Sequence, residues 1–201
     1  MQQNSLRIFT LCAMAVCINV ILGSIITLTH IPFLFLDSLG TIFIAANFKM
    51  RYGVITGLCT NLLLALIHGP LALPFGLVSL TIAIVTTLCT RKKFTYGTAI
   101  VTGILLVVIG SLVSAPIRVI LYGGFGGLHK SVSDVLVFSI QATGRKAITA
   151  AYFGAVTDGI LDKIISCLLV VWLSNLPQIK RLLRSFSLTK EEAYEWSKEN
   201  S

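Results

Sequence analysis

Read as a pattern of apolar and polar positions, the chain divides into six long apolar stretches separated by short polar breaks. They run from about Ile8 to Thr29, Phe33 to Phe48, Gly53 to Ile67, Leu73 to Thr90, Tyr96 to Leu121 and Ala147 to Leu173. A helix needs roughly 17–25 apolar residues to cross a bilayer. Four of the stretches meet that length, and the second and third fall just short of it. Such lengths suit a small bundle with tilted neighbours and outer loops that dip inward. The pattern predicts an all-α, polytopic membrane protein: a six-helix bundle over residues 1–184, followed by a cytoplasmic tail over 185–201.

The breaks predict orientation. Arg7 precedes the first stretch, Lys49 and Arg51 separate the second from the third, and Arg91, Lys92 and Lys93 separate the fourth from the fifth. Lys180, Arg181 and Arg184 follow the sixth. The breaks around His30–Pro32 and His68–Pro70 hold no lysine or arginine. Cytoplasmic loops carry the excess of Lys and Arg, so this alternation puts both termini inside. The segment 122–146 breaks the pattern with Lys130, Arg145 and Lys146; it is expected outside, with its charge serving a function. The first stretch is read as an uncleaved span, since it is longer than the apolar core of a secretory signal. In the tail, Thr189-Lys-Glu-Glu192 fits a capping box. It predicts a short helix resting on the inner membrane surface, with a frayed solvated tail as the equal alternative.

Composition agrees and excludes other classes. Apolar residues make up 55% of 201 residues and charged ones 12%, against roughly 25% charge in soluble domains. That is too little charge to cover a soluble surface, and too much apolar content for disorder. The net charge is +8, but the basic residues flank apolar runs, which excludes a nucleic-acid-binding face. Outside the tail the only acids are Asp37, Asp134, Asp158 and Asp162. The five cysteines lie inside apolar runs without metal-ligand spacing, so no metal or cofactor is expected. No catalytic or nucleotide-binding motif is present, so no enzyme is expected, and any ATP hydrolysis would belong to partner subunits.

Charge within a span costs about 2.5–3.5 kcal/mol on insertion scales, so it should face a partner or a watery cavity. Asp37 stands at the outer end of the second span and Arg118 near the outer end of the fifth, two residues after Pro116. Asp158 and Asp162 share a face of the sixth. Asp158 is expected to pair with Arg118, whereas Lys163, about 100° round the helix from Asp162, is expected to face elsewhere. Arg118, Arg145 and Lys146, with His129 and Lys130, make the outer half cationic, and Arg reads carboxylates bidentately. Gln141 and Tyr122 flank this region, and Asn61 lies one helical face with His68. In the first span Ala13 and Cys17 form one small-residue stripe, and Ala15, Asn19 and Gly23 another; such stripes allow close helix approach. For each of these residues a purely structural role stands beside the functional one.

Three stretches resemble a known family. Phe35-Leu36-Asp37-Ser38-Leu39-Gly40-Thr41 is similar to an F-x-D-x-x-G-T motif. Ser114-Ala115-Pro116-Ile117 with Tyr122-Gly123-Gly124 resembles the same subgroup's fifth-span exit, and Asp158 to Lys163 its sixth span. The family is that of the substrate-binding S components of energy-coupling factor (ECF) vitamin transporters. The resemblance implies a high-affinity binding subunit in a bacterial cell membrane. Its water-soluble vitamin would be held in an outer-leaflet cavity, and its partners would be a transmembrane coupling protein and two ATPase subunits. It implies docking through small residues of the first span, here Ala13 and Cys17, where the family pattern is Ala-x-x-x-Ala. With the cationic outer half, the expected vitamin is an anionic one such as pantothenate, with pyridoxine, hydroxymethylpyrimidine or another vitamin open. The expected substrate-binding residues are Arg118, Asp158, Gln141, Arg145, Asp37, Asn61, His68 and Tyr122. The alternatives are a six-span scaffold of the cell-shape (MreD-like) type that binds no solute, and, less favoured, a proton-coupled carrier using Asp158 or Asp162.

Overall fold

The computed structural model describes residues 2–29, 34–91, 94–123, 132–142, 144 and 146–187. The described residues form helices and connections, with no strand among them. In chain order the helices are α1 (Gln2–Thr29), α2 (Leu39–Asn47), α3 (Met50–His68), α4 (Gly76–Cys89), α5 (Tyr96–Tyr122), α6 (Val132–Ala142), α7 (Ala147–Asn175) and α8 (Pro177–Ser187). A 3-10 turn over Pro70–Phe75 leads into α4.

Among the described residues, four helical segments are long and apolar enough to cross a membrane: Leu6–Ile26, Met50–His68, Pro70–Cys89 and Tyr96–Tyr122. This is the mark of a membrane protein. The other two expected spans differ for physical reasons. The second apolar stretch is helical only over the 9 residues of α2, about 13 Å at 1.5 Å per residue; residues 34–36 before it are not helical. The sixth stretch forms the 29-residue α7, but Asp158, Asp162 and Lys163 interrupt its apolar character. Segment 122–146, expected as an outer loop, contains α6, which packs against α7. The capping box at 189–192 and residues 124–131 lie outside the described residues.

Helix packing follows from small and apolar positions. The most extensive helix pair is α5 with α7. Gly103 lies against Ile164 and Gly159 against Val107, so the two helices run antiparallel. Ile42, Leu106, Val170 and Val171, all buried, belong to the main core between α2, α4, α5 and α7. On the other side of α2, Cys12, Ala15, Ile44 and Tyr52 make a smaller core with α1 and α3. Thus α2 is the central element, although it is short.

The stripe of α1 that packs inward is Ala15–Asn19–Gly23. A Cβ on Gly40 would stand 2.4 Å from the Ala15 carbonyl oxygen, so only glycine lets α2 lie this close to α1. Asn19 is fully buried. Its amide Nδ2 donates to the hydroxyls of Thr41 and Thr60, both at 3.0 Å, and its Oδ1 accepts from the Gly40 N–H at 2.6 Å. One side chain therefore ties α1, α2 and α3 together. Buried polar groups need such partners, because leaving one unmade costs about 1–3 kcal/mol.

The ends of the elements sort into two levels. At one end, Asn47 donates to Ser174 at 3.1 Å; Lys49 and Arg51 follow α2 immediately, and Arg91 follows α4. Toward the other end lie the start of α2, the end of α3 at His68, the 3-10 turn and the end of α5. The cavity opens among this second set.

Candidate solute site

Segment 34–38 is built by α7. The backbone N–H groups of Phe35 and Leu36 both donate to Asp162 Oδ1, at 3.0 and 2.7 Å. Two successive N–H groups converging on one oxygen resemble the anion-holding nests of backbone turns. Leu36 takes a left-handed φ of 50°, a costly conformation for a leucine. Asp162 is fully buried and its second oxygen accepts from Lys163 Nζ. Lys163 Nζ also donates to Ser38 Oγ at 2.8 Å and stands 3.7 Å from Asp37 Oδ1. The expectation that Lys163 faces away is therefore corrected. Its Cα does point about 100° from that of Asp162, but its flexible four-carbon stem curls the ammonium back onto the same carboxylate.

One turn earlier on α7, Asp158 meets α5. Arg118 Nη1 donates to Asp158 Oδ2 at 2.9 Å, with the two side chains 12% and 3% exposed. This is the expected pair. Arg118 Nε is buried and has no hydrogen-bond partner among the described residues. Pro116, inside α5, lacks the N–H that would bond the Leu112 carbonyl, so one helical hydrogen bond is missing shortly before Arg118. The helix then ends on Gly123, whose φ of 65° supplies the left-handed cap.

These groups wall a cavity of about 280 Å³ between segment 35–37, α3, the 3-10 turn, α4, α5 and α7. Asp37, Asn61, His68, Arg118, Tyr122 and Asp158 all line it. Six of the eight expected substrate residues are thus brought together. Gln141 is not on the wall; its amide donates to the Gly123 carbonyl at 3.1 Å and ties α6 to the end of α5. Arg145, with His129 and Lys130, lies outside the described residues. Asn61 is held in place by its bonds to the Gly57 carbonyl and to Ser79 Oγ. Phe75, Ser79 and Ser111 also reach the wall, as do Phe35 and Ser114 from the family-like stretches and Lys163; none of these is among the expected binding residues. Phe75, Ser79 and Ser111 carry no signal in the sequence, whereas Lys163 stands out as a cation within a span. Among the described residues, no group of three His, Cys, Asp or Glu side chains gathers to hold a metal ion.

Ala13 and Cys17 sit far from this chemistry, on the exposed face of α1. With Met14, Ile18, Ile21 and Ile25, also exposed, they form an apolar surface that no other described helix covers.

The cavity's apolar surface, few convergent polar groups and limited volume are those of a small-molecule site. No family model, no curated protein and no solved structure matches the chain.

Proposed function

We propose that this protein is the membrane-embedded, substrate-binding subunit of an ATP-driven importer of the energy-coupling factor type, taking up a water-soluble vitamin. The observation that carries the reading is the cavity in the α3–α4–α5–α7 bundle, with a buried Arg118 whose Nε is left for a ligand. A scaffold protein has no use for a polar-walled cavity among membrane helices, because each polar group there costs stability. On this reading the chain crosses the cell membrane six times with both termini inside. The basic connections at Lys49–Arg51 and Arg91 face the cytoplasm and the cavity opens outward. Vitamin binding uses Arg118, Asp37, Asn61, His68, Tyr122 and Asp158. The exposed α1 face at Ala13 and Cys17 docks the coupling protein, which brings the two ATPases.

The vitamin is bounded by the charge of the wall. The cationic outer half of the sequence favours an anion such as pantothenate. On the described wall, however, both cations already have carboxylate partners, so pyridoxine and hydroxymethylpyrimidine gain ground.

The test is a binding and co-purification experiment. Purified protein should bind one vitamin of a panel at equilibrium and should co-purify with a transmembrane coupling protein and its ATPases. A protein that binds no vitamin and instead co-purifies with cell-shape proteins would return the scaffold reading.

A further inference from the structure

The charge on the cavity wall narrows the solute class, a step that rests on the vitamin-uptake reading. Among the described residues the wall carries three carboxylates, Asp37, Asp158 and Asp162, and two cations, Arg118 and Lys163. Arg118 is matched by Asp158. Lys163 is matched by Asp162, whose remaining oxygen is filled by the Phe35 and Leu36 N–H groups. Asp37 is left over. Its one ionic contact among the described residues, to Lys163 Nζ, is 3.7 Å long, beyond hydrogen-bonding distance. Its side chain is 43% exposed, whereas those of its four charged neighbours on the wall are 14% or less. On the described part of the wall the surplus negative charge thus sits on the most exposed of the three carboxylates.

A second observation bears on the same solute. Arg118 Nε is a buried donor without a partner among the described residues, and an unmet buried N–H is costly. It asks for one acceptor atom, not for a counter-ion, since the guanidinium charge is already compensated. A carboxylate entering the cavity would compete with Asp158 for Arg118 and would face Asp37 through a medium that screens poorly. A neutral or cationic solute meets neither obstacle.

We propose that the cavity takes a compact solute of net charge zero or plus one. It presents an N–H, O–H or ammonium group to Asp37 and an acceptor atom to Arg118 Nε. The apolar part of the solute packs against Phe35 and Phe75, which also line the cavity. A volume of about 280 Å³ lies just below the usual range of ligand pockets and suits a single substituted heteroaromatic ring.

The full chain, purified in detergent, is titrated calorimetrically with pantothenate as the anion and with pyridoxine and hydroxymethylpyrimidine as neutral probes carrying donors. A neutral probe should bind at least about tenfold more tightly than pantothenate. Asp37→Asn should weaken that probe about 10–100-fold, the range for losing a hydrogen bond to a charged group. The same variant should narrow pantothenate's disadvantage by removing the repelling charge. Pantothenate binding more tightly than both neutral probes would overturn the charge class and leave the uptake reading standing. Equal weakening of all probes by Asp37→Asn would reduce Asp37 to a structural role and overturn the assignment. Should that variant not fold, the ranking of the three probes on the wild type decides. No binding by any of the three probes overturns this inference; no binding by the wider vitamin panel removes the uptake reading as well.

Discussion

Asp158 and Asp162 stand one turn apart on α7, and both are buried and paired with a cation, yet their surroundings differ. Asp162 is saturated: one oxygen takes two backbone N–H groups, the other takes Lys163, and Lys163 itself reaches Ser38. Every polar atom there bonds another part of the chain, so the cluster fastens segment 34–38 to α7. The pair between Asp158 and Arg118 leaves a buried guanidinium N–H unused on a cavity wall. A buried ion pair by itself is weak evidence of either stability or function. What separates the two is whether the donors are used up: those of the Asp162 cluster are, whereas Arg118 Nε has no partner among the described residues.

The comparison breaks first, and by the largest amount, at Asp162. Asp162→Ala strands Lys163 and two backbone N–H groups, and should cost about 3–5 kcal/mol of stability, read as a lowered unfolding midpoint in detergent. A melting curve close to wild type would show that the cluster is not what fastens the segment. Next is Arg118→Ala, which should remove about 2–5 kcal/mol of vitamin affinity, measured by titration on the folded fraction. If affinity held while stability fell, the Arg118 pair would be structural like its neighbour. Gly40→Ala probes the fold alone. Its Cβ meets backbone at 2.4 Å, and overpacking of this kind costs roughly 1–3 kcal/mol; thermal unfolding should show the loss with the vitamin still bound by the folded protein. The smallest change in stability belongs to Ala13→Leu on the exposed face of α1, within about 0.5 kcal/mol. Its effect should appear instead as reduced co-purification with the coupling protein. Unchanged co-purification with bulky residues at both Ala13 and Cys17 would move docking elsewhere.

How much of this was legible in the sequence depends on the range of the interaction. The apolar runs outlined α1, α3, α4, α5 and α7, because helix length and hydropathy are local properties. The pairing of Arg118 with Asp158 was legible too, since few charges lie within the spans and they need partners. Segment 34–38 was not. Its shape depends on Asp162, whose carboxylate takes the N–H groups of residues 126 and 127 positions away, and no local pattern announces a left-handed Leu36. Lys163 was misplaced because helical periodicity fixes a Cα direction and not where a long side chain ends. The helix α6 was passed over because 11 residues in a polar connection are too few to stand out by apolar length.

The F-x-D-x-x-G-T stretch now has a physical reading, residue by residue. Phe35 and Leu36 give their N–H groups to α7, Asp37 is left facing the cavity, Gly40 permits contact with α1, and Thr41 bonds Asn19. A motif that looks like a ligand signature is largely a joint between helices, with Asp37 on the cavity wall.

The most direct measurement is a paired one on Arg118→Lys, which keeps a positive charge for Asp158 but removes the Nε–H and the planar fork. Unfolding midpoint and equilibrium affinity are recorded on the same preparation, using whichever of pyridoxine, hydroxymethylpyrimidine or pantothenate the wild type binds best. The account predicts a midpoint within a few degrees of wild type and an affinity lower by about tenfold or more, the loss of one hydrogen bond to a charged group. Retained affinity, or a midpoint and affinity that fall together, would contradict it.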